Sequence, residues 1–281
     1  MNVYYTPKML GPAHAVSPSA YKPAEVVASW LGVAPDLEVI EPEPVTVAQF
    51  CLSHDLLFVA DVLACRRNNG FGNTSPEIAS GLPYTSGSLL AGAREALRNG
   101  RVAIAPCAGF HHATFDCAAD FCTFNGLMVA ARVLLSEGAA RRVGILDADM
   151  HYGDGTDAII ERTGEQRVVH FSVGEHYWEL GDATPFFDRL PDILAKFDGC
   201  DLLIYQAGAD PHVDDPLGGW LTTDQLRQRD WIVFEHCAAR QLPIVWNLAG
   251  GYQKPLRKVL DVHDNTLREC LRVFEPDWQA C

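Results

Sequence analysis

The residues that follow one short apolar segment suit the binding of a metal ion. Asp147, Asp149 and His151 lie two residues apart directly after residues 143–146. On an extended strand end, side chains two residues apart point to the same side, so these three face one way. Carboxylate oxygens and imidazole nitrogens bind zinc or a similar divalent ion, and Asp210 could complete a three-ligand set with Asp149 and His151. The alternative for this segment alone is a helix cap with solvated carboxylates.

A second group suited to acid–base chemistry is the pair His111 and His112, which follows residues 102–105 and a turn that contains glycine. Hydrolysis by metal-activated water needs a base for the water proton and an acid for the leaving amine, and imidazole changes charge near neutral pH. Each ring needs an acceptor that fixes its tautomer, and Asp147 and Asp154 are the spare carboxylates nearby. The alternative, a buried structural histidine, suits a single residue better than two in succession.

Tyr252 follows Gly250 and Gly251, after the apolar residues 244–246. A tyrosine hydroxyl can donate a hydrogen bond to the oxyanion that forms on a polarised carbonyl, and the glycines allow close approach of the backbone. The alternative is an aromatic side chain that covers a strand end. The neighbouring motifs favour the catalytic interpretation.

Short apolar segments rich in β-branched and aromatic residues predict the strands that position these groups. They are residues 102–105, 143–146, 168–171, 202–205 and 244–246. Segments with helical spacing separate them: residues 86–98, 126–137, 154–162 and 224–240. This alternation predicts a parallel sheet with helices on both faces, whose ligands bind beyond the carboxyl ends of the strands.

No linker or repeat divides the chain, so we predict one α/β domain over residues 1–281. Residues 68–88 contain four glycines and two prolines, and we expect a long loop that forms a lid or rim.

Composition limits the partners. Lys and Arg total 22 against 36 Asp and Glu, which gives a net charge of −14, so we expect no nucleic acid and no membrane as partner. Nine cysteines without a CxxC pair favour reduced thiols over a structural zinc site. We find no signal peptide and no long apolar segment, and we expect a cytoplasmic protein.

Five separated segments of the chain together resemble the zinc-dependent histone deacetylase and acetylpolyamine amidohydrolase family of the arginase–deacetylase superfamily. They are GFHHA (109–113), FCTFN (121–125), DADMHYGDG (147–155), QAGAD (206–210) and AGGY (249–252). The segment HAVSPSAYKP (14–23) is a weaker match. The resemblance implies a single α/β domain with an eight-stranded parallel sheet.

The resemblance also implies the metals. One catalytic Zn²⁺ would be held by Asp149, His151 and Asp210. A structural K⁺ would touch Asp147, although residues 170–174 lack the usual Ser-Leu-His order, which leaves the side chain that completes the potassium site open.

The catalytic groups follow from the same resemblance. His112 would be the general base and then the acid, and Asp154 would orient it. His111, oriented by Asp147, would act as an electrostatic partner; the alternative is that His111, in place of His112, protonates the leaving amine. Tyr252 would polarise the acyl carbonyl.

The substrate channel departs from the family pattern. Phe121 would form one wall, but Asp120 stands where the family usually has glycine, and Gly250 follows an alanine where a further glycine is usual. The second wall lacks its usual phenylalanine, so we predict Tyr177 or Trp178 there. A carboxylate at position 120 predicts a preference for cationic amides; the alternative is that Asp120 turns outward.

The predicted activity is removal of an acyl group from an acetylpolyamine, an acetyl-lysine side chain or a small acylated amine. Two alternatives remain open: an arginase-like ureohydrolase with two manganese ions, and a catalytically silent sensor of acyl groups. The first needs extra carboxylates where this chain has histidines, and the second usually lacks a ligand or the tyrosine. The acyl group, zinc versus iron and an oligomeric state stay open.

Overall fold

Seven parallel strands form one sheet in the computed structural model, which describes residues 1–11 and 17–278. The strands are β1 (Asn2–Tyr4), β2 (Glu38–Ile40), β3 (Val102–Ala105), β4 (Val143–Asp147), β5 (Val168–Ser172), β6 (Leu202–Gly208) and β7 (Ile244–Ala249). Their order across the sheet is β2-β1-β3-β7-β6-β4-β5. The predicted parallel sheet and all five predicted strands are present.

Helices cover both faces of the sheet. They are α1 (Lys22–Val33), α2 (Val47–Phe50), α3 (Leu56–Leu63), α4 (Pro76–Asn99), α5 (Gly126–Ser136), α6 (Asp154–Thr163), α7 (Ala183–Ala195), α8 (Thr223–Arg240) and α9 (Arg257–Phe274). Helices α1, α7, α8 and α9 contribute to the apolar core on one face, and α2 to α6 to the core on the other. The single α/β class with helices on both faces is therefore confirmed.

Alternation along the central strands divides the two cores. In β7, Ile244 and Trp246 belong to one core and Val245 to the other. Trp246 packs edge-on against Trp30 of α1, with ring centroids 5.2 Å apart. A strand buried on both faces has no polar side to expose, which is why its sequence is a continuous apolar segment.

The eighth strand that the resemblance implied is absent from the described part of the chain. After β2 the chain runs through Pro42 and Pro44, and proline has no amide hydrogen to donate to a neighbouring strand. Beyond β5, at the opposite edge, the chain forms short 3₁₀ turns and then α7. Neither edge is followed by a segment that could pair.

The prediction of a long loop over residues 68–88 is wrong for residues 76–88, because α4 begins at Pro76. Ser75 caps this helix by accepting a hydrogen bond from the amide of Ile78. A Cβ at Gly81 would crowd the carbonyl of Met9, and one at Gly87 would overlap the carbonyl of Glu43. These glycines allow close packing of other backbone against the helix, rather than a turn.

The carboxyl ends of the central strands meet at one edge of the sheet. Asp147 is paired with Gln206 in the β4–β6 register, and Gly208 with Ala249 in the β6–β7 register. The loops that carry the predicted chemistry therefore start side by side. In the weaker amino-terminal match, residues 14–16 lie outside the described residues.

Other expectations concern cysteines and membranes. The eight cysteines within the described ranges are all free thiols. Across those same ranges, we find no helix that combines the length and the apolar character needed to span a bilayer.

A buried histidine joins two loops beneath the site. His54 Nδ1 lies 2.9 Å from the carbonyl oxygen of Thr114, and its Nε2 accepts the amide of Asn125 at 2.9 Å. Burial lowers the pKa of His54 to about 4. Because the unfolded chain binds this proton near pH 6.5, the contribution of His54 to stability is lost as the pH falls from 6.5 towards 4.

We predict that His54→Gln weakens the acid sensitivity of the fold. Between pH 7.5 and 5.0, the free energy of unfolding of the wild type should fall by roughly 1–2 kcal/mol more than that of the variant, because glutamine does not titrate. Urea unfolding at both pH values measures this. His176→Gln, at an exposed histidine, is the control, and an unchanged pH dependence in His54→Gln would contradict the account.

Candidate active site

Two carboxylates and one imidazole converge at the carboxyl edge of the sheet. Asp149 and His151 lie in the turn after β4, and Asp210 follows β6. One potential ligand atom from each lies within 4.8 Å of the others. Nδ1 of His151 is 3.1 Å from Oδ1 of Asp149 and 3.2 Å from Oδ2 of Asp210. The structure thus brings together the three residues proposed as metal ligands.

The surroundings of Asp210 fit a metal ion. Its Oδ2 is buried and receives no aligned hydrogen bond, which is costly for a carboxylate unless a cation is nearby. Gly250 has a positive φ of 48°, and a Cβ at this position would overlap the carboxylate of Asp210. The absence of a side chain at Gly250 therefore makes room for the Asp210 carboxylate.

The pKa values indicate a demand for positive charge. Burial and the neighbouring Asp149 raise the pKa of Asp210. A hydrogen bond to Asp149 and the adjacent carboxylate of Asp210 raise the pKa of His151 to about 11. Two buried carboxylates next to each other need a cation, and a divalent ion meets this need more fully than one proton on an imidazole.

Each histidine of the pair contacts its own carboxylate. His111 Nδ1 lies 2.8 Å from Asp147 Oδ2, and His112 Nδ1 lies 2.8 Å from Asp154 Oδ1. The two imidazole centroids are 4.0 Å apart. A carboxylate on Nδ1 fixes the ring and leaves Nε2 for chemistry.

The two His–Asp pairs differ in their exposure to water. The side chain of Asp147 is fully buried, whereas that of Asp154 is 58% exposed. Burial alone would lower the pKa of His111, but the carboxylates of Asp147 and Asp149 outweigh burial and raise it to about 9. His111 is therefore suited to hold a proton at neutral pH, next to a more accessible His112.

Further donors fix the buried carboxylate. Gln206 Nε2 donates to Asp147 Oδ1 at 2.7 Å, and the amide of Asp149 donates to the same oxygen at 3.2 Å. Gln206 belongs to the QAGAD segment but was not among the predicted site residues.

A cavity of about 310 Å³ opens above these groups. Phe121 and Tyr252 face each other with ring centroids 6.1 Å apart, and Asp120 and Leu217 also line the cavity. An apolar passage of this kind suits the stem of an extended substrate.

The prediction of Tyr177 or Trp178 for the second wall is not supported by their positions, because neither lines the cavity. Tyr177 packs against Phe186 and Trp220, with centroids 5.3 and 6.0 Å away, and Trp178 is mostly exposed. Leu217 lines the cavity instead. Its loop follows Asp210, and no spacing rule connects it to the motifs.

Asp120 and Phe121 both adopt left-handed backbone conformations, with φ of 43° and 66°. Such conformations cost of order 1–3 kcal/mol each for residues other than glycine. The amide of Phe121 donates to the carbonyl of Gly70 at 2.9 Å. A Cβ at Gly109 would approach the carbonyl of Phe121 to 2.9 Å. The backbone of Phe121 therefore contacts Gly70 through its amide and packs closely against Gly109 through its carbonyl.

Two charged residues that sequence analysis missed hold the turn before Tyr252. Lys22 is fully buried and its Nζ donates to the carbonyl of Gly250. Burial lowers the pKa of Lys22 to about 8, against the opposing effect of nearby carboxylates, Asp210 foremost. Asp215 is buried and accepts the amide of Tyr252 at 2.7 Å. Burial raises the pKa of the Tyr252 phenol, so the hydroxyl keeps its proton as a donor.

The end of β5 bears on the expected potassium site. Ser172 is paired with Asp147 in the β4–β5 register, and its hydroxyl accepts the amide of Gly153 at 3.0 Å. The Ser172 hydroxyl is therefore an oxygen that could bind an ion beside Asp147. Potassium binding itself stays a prediction.

Comparison with known proteins identifies the class to which this fold and site belong. The model of the histone deacetylase domain matches residues 14–181, more than half of the chain. This chain belongs to the histone deacetylase family.

Relatives carry related names. An uncharacterized protein of Picosynechococcus sp. is 30% identical over 208 residues, covering 68% of this chain and 66% of that protein. Acetylpolyamine amidohydrolase 1 of Pseudomonas aeruginosa is 29% identical over 205 residues, 60% of this chain and 56% of the relative. Histone deacetylase 2 of Arabidopsis thaliana is 26% identical over 190 residues, which cover 60% of this chain and 49% of the relative. The matches span between about half and two thirds of these relatives.

Solved structures share the fold. An acetylpolyamine aminohydrolase from Burkholderia pseudomallei has a TM-score of 0.74 at 20% identity, covering 97% of this chain and 99% of that chain. The HD domain of HDA15 has a TM-score of 0.75 at 19% identity, covering 99% and 97%.

We predict that Gly250→Ala abolishes stoichiometric zinc binding while the protein stays folded. The added methyl group would displace the carboxylate of Asp210, and loss of one of three ligands sharply weakens a zinc site. Isothermal titration with ZnCl₂ and metal analysis after dialysis measure this. Gly181→Ala is the control, because a Cβ there meets nothing within 4 Å. Undiminished zinc affinity in Gly250→Ala would refute the prediction.

Proposed function

We propose that the protein is a zinc-dependent amidohydrolase that removes an acyl group, foremost acetyl, from an amine. The amine would be an acetylpolyamine, an acetyl-lysine side chain or a small acylated amine. One observation carries the proposal: an Asp-His-Asp cluster, two separate His–Asp pairs and a tyrosine meet at one cavity. Membership of the histone deacetylase family supports it.

Asp149, His151 and Asp210 would hold the ion. When bound, Zn²⁺ supplies Lewis acidity that polarises the acyl carbonyl and makes water more acidic. The clustering of the three side chains and the buried Oδ2 of Asp210, which receives no aligned hydrogen bond, support this assignment.

His112 would accept the proton of the attacking water. Its Nδ1 contacts Asp154, so Nε2 is the nitrogen available to act as a base. His111, whose pKa is raised to about 9, would carry a positive charge beside the reacting atoms and protonate the leaving amine.

Tyr252 would donate its hydroxyl proton in a hydrogen bond to the oxyanion. Its raised pKa keeps the phenol protonated, and such a donor stabilises charge that develops only in the transition state. Phe121 and Leu217 would enclose the stem of the substrate. Potassium binding, a cytoplasmic location and any oligomer are further proposals.

We expect the zinc-loaded protein to deacetylate a fluorogenic acetyl-lysine substrate and acetylputrescine. His112→Ala and Tyr252→Phe should each lower kcat/KM by about 10²–10⁴, because they remove the base and the oxyanion donor. Steady-state kinetics with metal analysis measure this, and His176→Ala is the control.

The alternatives give different results in the same experiment. Two manganese ions per chain with hydrolysis of guanidino compounds would support the arginase-like reaction. No turnover of acetyl, longer acyl or polyamine amides by zinc-loaded protein would support the acyl sensor.

The charge of the cavity supports a cationic substrate. Asp120 lines it and is the carboxylate there that is not assigned to the metal ion, and among the described lining residues none is lysine or arginine. Asp120 is exposed. An ammonium group at the cavity mouth would be attracted by the Asp120 carboxylate.

We predict that Asp120→Asn lowers the preference for a cationic amide. The kcat/KM ratio of acetylputrescine to N-pentylacetamide, in which a methyl replaces the ammonium group, should fall about three- to tenfold, the range of one partly solvated charge pair. Added salt should lower this ratio in the wild type but not in the variant. Equal ratios in the two proteins would overturn the role of Asp120 and leave the deacylase proposal intact.

A further inference from the structure

A buried carboxylate joins two walls of the cavity. Asp215 Oδ2 accepts the amide of Tyr252 at 2.7 Å, and its Oδ1 accepts the amide of Leu217 at 3.0 Å. Asp215 is buried and lies between β6 and α8, whereas Tyr252 follows β7. One side chain therefore fixes the loop of the tyrosine relative to the loop of the apolar wall.

The loop that carries Asp215 is itself anchored. The amide of Asp215 donates to the carbonyl of His212 at 2.8 Å. Nε2 of His212 lies 2.8 Å from the hydroxyl of Thr223, in the first turn of α8. Asp215 is thus attached to a helix that packs on the sheet, and it can hold the neighbouring turn in place.

The turn before Tyr252 needs such a support. Gly250 and Gly251 have positive φ values of 48° and 89°, and glycine allows many backbone conformations. Lys22 holds the turn at the carbonyl of Gly250, and Asp215 holds it two residues later. Hydrogen bonds from amides to an ionised carboxylate are stronger than neutral ones.

We propose that Asp215 is a positioning residue, which aims the Tyr252 hydroxyl at the acyl oxygen by holding the Tyr252 amide. This inference rests on the proposed deacylase function. Asp215 does not line the cavity and is not one of the three proposed metal ligands, so its effect should pass through Tyr252. A displacement of about 1 Å can cost on the order of 10²-fold in rate.

The test is a double-mutant cycle on the zinc-loaded protein. Asp215→Ala and Asp215→Asn are each made alone and in the Tyr252→Phe background, with Asp214→Asn as the matched control. The Asp214 side chain is mostly exposed, and its nearest cationic partner, Lys258, is 3.9 Å away. For every variant, kcat, KM, bound zinc and urea unfolding are measured.

We expect Asp215→Ala to lower kcat about 10- to 100-fold with KM changed less than about threefold and zinc retained. In Tyr252→Phe, the same substitution should cost less than about threefold, because the hydroxyl that it positions is gone. Asp215→Asn keeps only one acceptor oxygen, so its kcat should lie between those of the wild type and Asp215→Ala. This variant preserves the test if Asp215→Ala unfolds. An equal loss in both backgrounds, or lost zinc, would overturn the inference.

Binding of a hydroxamic acid separates this inference from the proposed function. A hydroxamate chelates zinc and, if the proposed site is correct, its carbonyl oxygen would accept a hydrogen bond from Tyr252; its affinity needs no turnover. Loss of affinity in Asp215→Ala that disappears in Tyr252→Phe would support the positioning role even in a protein that hydrolyses no substrate. Equal losses of affinity in both backgrounds would overturn it.

Discussion

The repulsion between buried carboxylates at one sheet edge is the constraint on which this site depends. Asp147, Asp149 and Asp210 lie together at the ends of adjacent strands and are almost fully buried. Such groups are costly unless positive charge or donors surround them. The surroundings supply both: His111, His151 and Lys22 bring positive charge or donors within the same region, and Gln206 donates an amide. The Asp-His-Asp cluster and the two His–Asp pairs are thus parts of one charge balance.

The parallel sheet explains why this balance forms at that edge. Adjacent strands end in register, so loops distant in sequence begin within a few ångströms of each other. Glycines then let the loops approach closely. A Cβ at Gly155 would overlap the backbone of His112, and one at Gly208 the backbone of Asp149. The glycines of the motifs serve packing around the charged groups as much as turning of the chain.

Sequence predicted the parts of this structure that local pattern determines. Strands β3 to β7 were predictable because they form apolar segments, continuous where burial on both faces demands it and interrupted only in the edge strand β5, whereas β1 and β2, of three residues each, carry too little pattern. The start of α4 was missed because its glycines make room for backbone segments that are distant in sequence, and local pattern does not reveal such contacts. Asp215 and Leu217 were missed because their roles come from a loop whose path depends on tertiary contacts.

The unequal exposure of Asp147 and Asp154 has a consequence for how this chemistry can change. The proton on His111 is governed by groups enclosed in protein, which dissolved ions and surface substitutions barely influence. The carboxylate partner of His112 lies more than half in solvent, where surface substitutions can change its surroundings at little cost to the fold. The pair of His111 and Asp147 is insulated from solvent, whereas the pair of His112 and Asp154 is open to change from outside the core.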